Sequence, residues 1–184
     1  MDFYQDINVI EDAEIPEPVL QAQLFMRLHK VMGQVAGGRI GISFPRVNKT
    51  LGNQLRVHGS LADLNALQQS GWLQGLRDYI VCAEIAAVPQ EVCWRVVKRV
   101  QVKSSSERLL RRSVRKGWLT EAEAQQRSSQ LNEQRSDLPY VLIRSGSNGN
   151  AYPLFIEHGP IKSSAAEGSF NSYGLSATAT IPWF

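Results

Sequence analysis

The chain has 184 residues, 43% of them hydrophobic and 20% charged, with a formal net charge of +3. This composition fits a soluble protein of one larger or two small domains and excludes a disordered chain, and two cysteines, Cys82 and Cys93, do not make a disulfide framework. No apolar run approaches the ~20 residues that span a bilayer, and the early acids do not resemble a secretory signal, so a cytoplasmic protein with buried free thiols is expected.

Residues 3–10 (FYQDINVI) alternate as a strand. Pro16 and Pro18 precede a run in which Leu20, Leu24, Phe25, Leu28, Val31, Met32 and Val35 share one helical face, and Gly37-Gly38 ends it. Two short strands follow, RIGISFP (39–45) and QLRVHGS (54–60). LADLNALQQ (61–69) is a second helix with Leu61, Leu64 and Leu67 inward, and DYIVCAEIAAV (78–88) is expected as one strand. The order β-α-β-β-α-β is the ferredoxin-like pattern, an antiparallel sheet with helices on one face. The expected fold is therefore α+β: a ferredoxin-like domain over 1–93, then a smaller α+β domain over 94–184.

The second half opens with the strand WRVVKRVQVK (94–103), in which Val97, Arg99, Gln101 and Lys103 alternate onto one face. Ser104-x-x-Glu107 fits a capping box that starts a helix rich in arginine. Thr120-x-x-Glu123 offers a second box and a helix to about Arg135. PYVLIRS, a turn at Asn148-Gly149 and AYPLFIEH make a hairpin signal, and the tail SFNSYGLSATATIPWF is β-like.

Charge is concentrated rather than large. Nine basic residues lie between Arg95 and Lys116 against the single acid Glu107, whereas residues 1–18 carry six acids and no base. Arg108, Arg111, Arg112 and Arg115 stand at i, i+3, i+4 and i+7, so a helix gathers all four on one face. Like charges at that spacing repel, and interspersed acids would mark an ordinary solvated face; a polyanion lying along the stripe relieves the repulsion. Guanidinium adds a planar fork that matches phosphate and guanine edges. Nucleic acid is the partner this pattern favours.

His29, His58 and His158 are the only histidines, and a lone histidine is more often packed or hydrogen-bonded structure than a ligand. There is no His-x₃-His, HExxH, CxxC, P-loop or GxGxxG, so neither a metal nor a nucleotide cofactor is expected. An RNA substrate brings its own nucleophile, the 2′-hydroxyl. A protein then needs to remove that proton, orient the oxygen and stabilise charge on the phosphate. His29, with the hydroxyls of Ser145, Ser147 and Tyr173, supplies the residue types for this, but spacing alone does not bring them together.

Several fragments carry a family resemblance in order: LFMRLH (24–29), RIGISFP (39–45), QLRVHGS (54–60), RVQVKS (99–104), IRSGS (143–147), LFIEHGP (154–160), SYGLS (172–176) and the terminal PWF. With this nearly end-to-end set the chain resembles the CRISPR RNA-processing endoribonucleases of type I-F systems, a branch of the repeat-specific CRISPR endoribonuclease superfamily. The resemblance implies an arginine-rich helix that enters the major groove of a repeat hairpin, and cleavage without metal at the 3′ side of the stem. It further implies a 2′,3′-cyclic phosphate, retention of the product and membership of a surveillance complex, with a monomer expected when free. By the same resemblance His29 is the catalytic histidine, Tyr173 orients it and Ser145 holds the ribose, with Ser147 nearby. Arg99 and Gln101 would read purine edges at the stem base. Arg112, Arg115 and Lys116 match groove-helix positions, and Tyr152 stands where the family places a phenylalanine that stacks beside the scissile site. Lys103, Arg108 and Arg111 complete the expected RNA surface. Gly117 departs from a basic or histidine position, and Lys116 replaces an arginine. The rival reading is a catalytically inactive hairpin-binding module, which would not need His29, Ser145 and Tyr173 jointly.

Overall fold

A computed structural model describes residues 1–101, 106–130, 137–144 and 150–184, with side chains from 106–109 and 127–130 left aside. The mixed α+β class is as expected. The first sheet contains β1 (Phe3–Val9), β2 (Gly41–Ser43), β3 (Gln54–Gly59), β4 (Ile80–Cys82) and β5 (Ala86–Ala87). Its order is β2-β3-β1-β4, every pairing is antiparallel, and β5 extends the pairing along β1. That order is the ferredoxin-like one. Helices α1 (Glu17–Val35) and α2 (Leu61–Gln69) pack against this sheet and against each other.

Local chemistry sets these bounds. Pro16 and Pro18 accept the fixed φ of a helix start. Gly37 and Gly38 end α1 at φ values of 52° and 83°. Leu20, Leu24, Phe25, Leu28 and Met32 are buried, with Val31 and Val35 packed at the edge of the stripe. Ser60 caps α2 by accepting the Asp63 N–H at 3.1 Å. Leu64 and Leu67 point inward, but Leu61 is exposed, because the first helical position precedes the turn that meets the sheet. The segment 78–88 is not one strand. Arg77–Tyr79 form a 3₁₀ turn, and β4 and β5 pair with separate parts of β1. Cys82 and Cys93 are both exposed rather than buried.

The second sheet has the order β7-β8-β6-β9, from β6 (Cys93–Val100), β7 (Tyr140–Arg144), β8 (Ala151–Lys162) and β9 (Thr180–Trp183). Strands β7 and β8 pair as the hairpin expected from their sequence; its turn at Asn148-Gly149 lies outside the described residues. The β-like tail becomes a strand only from Thr180, and most of 163–179 is turn and coil. One apolar core joins the two sheets: Phe25, Ile42 and Phe44 cluster with Val97, Ile143, Ile156, Leu175 and Ile181. Arg56 adds a polar tie. Its guanidinium grips Asp6 at 2.6 and 2.9 Å, donates to the Phe184 carbonyl at 3.0 Å and lies over the Phe184 ring.

The chain forms two compact units, Met1–Val100 with Leu138–Phe184, and Gln101–Asp137. The second unit holds α3 (Ser106–Arg115) and α4 (Glu121–Gln130). The capping box expected at Ser104 lies outside the described residues. Helix α3 ends in a Schellman motif, with the Trp118 N–H reaching the Ser113 carbonyl and the Gly117 N–H the Val114 carbonyl. At this stop Gly117 takes φ 72°. Helix α4 starts on the expected box. The Thr120 N–H donates to Glu123 Oε2 at 2.8 Å, and the Glu123 N–H to Thr120 Oγ1 at 3.3 Å.

Candidate active site and nucleic-acid surface

His29 and Tyr173, 144 positions apart in sequence, meet at the edge of the first unit. Their rings stack with centroids 3.9 Å apart and planes 12° from parallel. On its other face Tyr173 stacks on Phe25, at 5.5 Å and 10°. Phe25 and His29 are i and i+4 on α1, so one helical turn separates two rings that clasp a third. Phe25 belongs to the core and is 1% exposed, whereas His29 is only half-buried. The stack thus runs from the interior to the surface and hands the rigidity of the core to an accessible imidazole.

A hydrogen bond sets the protonation pattern of that imidazole. His29 Nδ1 lies 2.9 Å from the Ser172 carbonyl oxygen. A carbonyl only accepts, so Nδ1 carries the hydrogen, and the neutral ring presents Nε2 as its basic nitrogen. Burial raises the Tyr173 hydroxyl's pKa above the usual phenol value, a side-chain hydrogen bond with Tyr152 adds to the shift, and the charge of Arg99 opposes it. Tyr173 is therefore a neutral hydroxyl at neutral pH.

Tyr152 is therefore hydrogen-bonded to Tyr173, and the Arg99 charge is within electrostatic range of the Tyr173 hydroxyl. Arg99 pairs in register with Ile156 of β8, and Tyr152 with Ile143 of β7; Tyr152 is half-buried and packs against the core. Gln101 follows Arg99 by two residues and is exposed. Ser145, Ser147 and Lys103 lie outside the described residues. Three of the expected residues, His29, Tyr173 and Tyr152, are therefore joined by a ring stack and a hydrogen bond, with the Arg99 charge within electrostatic range.

The other two histidines are structural. His58 is fully buried, with Nε2 2.8 Å from Ser43 Oγ, and desolvation, helped by Arg56, depresses its pKa to about 3. His158 accepts the Phe44 N–H at Nε2, 3.3 Å away, and lies edge-on to Phe44 and Trp183. Burial, with the nearby Arg95, lowers it to about 4.

In the second unit, positions 108, 111, 112 and 115 fall within one continuous helix and hence on one face. The side chains of Arg111, Arg112, Arg115 and Lys116 are exposed; that of Arg108 lies outside the described residues. Lys116 sits 4.8 Å over the Trp118 ring, itself 69% exposed. Gly117 holds the positive φ of the helix stop, which explains a glycine where the resemblance expects a larger side chain. Among the described residues no group of three His, Cys, Asp or Glu is placed to hold a metal, and no helix is long and apolar enough to cross a membrane.

Residues that sequence reading missed are Phe25 as a stacking partner, Ser172 through its carbonyl, and Asn171. The signal for the last was present: Asn171 with Gly174 three residues later is turn chemistry.

By fold and site the molecule is a ferredoxin-like α+β protein with a surface histidine held on an aromatic stack and a separate basic helix. More particularly, the model of the CRISPR-associated protein family Cas_Csy4 matches residues 4–184, and the chain belongs to that family. It is similar to a protein of Escherichia coli (strain UTI89 / UPEC), 51% identical over 184 residues, and to one of Pseudomonas aeruginosa (strain UCBPP-PA14), 44% identical over 187 residues. Each match covers 100% of both chains, and both relatives are named CRISPR-associated endonuclease Cas6/Csy4.

Proposed function

We propose that this protein is an endoribonuclease that binds the repeat hairpin of precursor CRISPR RNA and cleaves at the 3′ side of its stem without a metal. The observation that carries the reading is the His29 arrangement: a histidine with Nδ1–H on a carbonyl and its ring on a neutral tyrosine keeps Nε2 as a positioned base. In the reaction Nε2 takes the proton of the 2′-hydroxyl, whose oxygen attacks the adjacent phosphorus. The bond to the 5′-oxygen breaks, that oxygen takes a proton from water while His29 gives its own back to solvent, and the products are a 2′,3′-cyclic phosphate and a 5′-hydroxyl. Tyr173 orients His29, and Ser145, with Ser147 nearby, holds the ribose. Tyr152 lies beside the scissile nucleotide.

Arg99 and Gln101 read purine edges at the stem base, and the electrostatic influence of Arg99 on the Tyr173 hydroxyl supports base reading near the chemistry. Arg112, Arg115 and Lys116, with Lys103, Arg108 and Arg111, hold the stem backbone. A-form major grooves are deep and narrow, and a short stem open at one end eases entry. The charge on this helix supports retention of the product hairpin, and membership of a surveillance complex in the cytoplasm completes the proposed reading.

The test is single-turnover cleavage of a labelled repeat RNA in excess chelator, beside the same RNA with a 2′-deoxy nucleotide 5′ of the scissile phosphate. Cleavage at full rate in chelator, with the deoxy RNA bound but intact, is the expected result. Chelator sensitivity or turnover of the deoxy RNA would remove the 2′-hydroxyl mechanism. Binding of both RNAs with cleavage of neither would favour the inactive hairpin-binding module.

A further inference from the structure

His29 is held by a backbone carbonyl, which raises the question of what holds that carbonyl. The answer lies in a five-residue turn, Asn171–Leu175. Asn171 Oδ1 accepts the Tyr173 N–H at 2.8 Å and the Leu175 N–H at 3.2 Å. The backbone closes around it, with Gly174 N–H donating to the Asn171 carbonyl and Asn171 N–H to the Leu175 carbonyl, both at 2.9 Å. Gly174 takes φ 73° where an added Cβ would meet Ile42 Cγ2 at 2.8 Å, and its carbonyl accepts the Ile42 N–H at 2.9 Å. The turn is thereby fastened to β2.

One peptide plane in this turn matters most. The Tyr173 N–H and the Ser172 carbonyl belong to the same peptide unit. A planar trans unit points its N–H and C=O in opposite directions, so fixing one fixes the other. Here the N–H end is fixed by Asn171 Oδ1 at 2.8 Å, and the C=O end meets His29 Nδ1 at 2.9 Å. The same unit leads into the Tyr173 ring that stacks on His29. One amide side chain therefore governs both contacts of the imidazole, its hydrogen bond and its stack. Linked donors and acceptors of this kind also polarise one another, which strengthens the Nδ1–H bond at the end of the chain. Asn171 itself is exposed, so its conformational preference and its two accepted hydrogen bonds, rather than apolar packing, are what it contributes.

We infer that Asn171 is a positioning residue for His29: by orienting the Ser172–Tyr173 peptide it selects the tautomer that leaves Nε2 basic and sets the plane of the ring. The role rests on the proposed use of His29 as the base. An aspartate keeps an acceptor oxygen at the same place, whereas an alanine removes it.

The experiment compares wild type, Asn171→Ala and Asn171→Asp by three measurements: hairpin affinity for the repeat RNA, single-turnover cleavage at pH 8, and the ring ¹⁵N NMR signals of His29. Asn171→Ala should bind within about threefold of wild type. It should cleave about 10²-fold more slowly, the effect expected of a misplaced reacting group. Its His29 signals should move from a fixed Nδ1–H form to exchange between tautomers. Asn171→Asp should restore both rate and tautomer. Wild-type cleavage by Asn171→Ala, an unchanged tautomer, or equal losses in both variants overturns the inference. So does loss of hairpin binding in Asn171→Ala, which would make Asn171 a residue of the fold. The NMR signals keep the two readings apart. If His29→Ala cleaves normally the base assignment fails, while the tautomer still reports whether Asn171 positions the ring.

Discussion

The histidine edge of the first unit and the arginine helix of the second are built in opposite ways. At the histidine edge, geometry comes from contacts between distant segments: α1 supplies Phe25 and His29, the 171–175 turn supplies Tyr173 and the carbonyl, and the shared core fixes their relation. Helix α3 is instead shaped locally, closed by the Schellman turn at Gly117 and followed soon after by the Thr120 capping box. The difference teaches a division of labour. In the proposed roles, positioning a proton acceptor needs fine geometry and borrows stiffness from a core, whereas holding a phosphate backbone needs charge on a surface that can fit its partner.

The strongest test of that contrast is His29→Ala. Cleavage should fall by about 10²–10⁴-fold with hairpin affinity within a few-fold of wild type, because the role proposed for His29 lies in the reaction rather than in phosphate binding. Equal single-turnover rates for mutant and wild type would break the comparison at its root. Next, Phe25→Ala should destabilise the protein by about 3–5 kcal/mol, the cost of emptying an aromatic core site, read from denaturant unfolding. Arg112→Ala, on an exposed surface, should stay within about 0.5 kcal/mol of wild type in the same assay. Similar losses in the two variants would erase the distinction between packed and local construction.

Binding isotherms at several salt concentrations sharpen the other side. Each phosphate interaction removed by Arg112→Ala or Arg115→Ala should reduce the slope of log K against log salt by about 0.7–0.9. If affinity and slope both stay put, the helix is only a solvated face. The smallest effect concerns pH. His58 and His158 have folded pKa values of about 3 and about 4. Both lie below the ~6.5 of an unfolded histidine. Between those limits the unfolded chain binds more protons. Their contribution to stability is thus complete above pH ~6.5 and is lost as pH falls toward the folded values. The denaturant midpoint should decline over that range, and His158→Gln should flatten the decline; an unaltered pH dependence in the variant would assign it to other groups.

Much of the fold was legible because its signals are local. Helix α2 runs over residues 61–69 as read, since its leucines repeat at helical spacing; the Ser60 cap that starts it is a structural finding. The strand order of the first sheet followed from the βαββαβ pattern. The tail read as β-like yet is mostly turn until Thr180, because its bonds go to distant partners such as Gly38, Ile42 and Val97. The cysteines read as buried from their apolar neighbours, but β4 turns Val81 and Cys82 outward. At the site, the residue types were legible while the convergence of His29 and Tyr173 was not, since no spacing rule connects residues on different elements. Phe25 was read correctly as core; that its outer face carries a tyrosine is a tertiary fact.

The register of the second sheet has a consequence for how its parts can be exchanged. Val100, where β6 ends, and Tyr140, where β7 begins, both stand opposite Phe155 of β8. Both strands are antiparallel to β8, so they run parallel to each other with one strand between them, roughly 10 Å apart. Parallel strands cannot be joined by a tight turn and need a crossover of about a dozen residues or more. The segment carrying the arginine helix is that crossover. Its minimum length is set by topology, but its upper length and its contents are not. A different element could therefore replace it between the same two strands without rethreading the sheet.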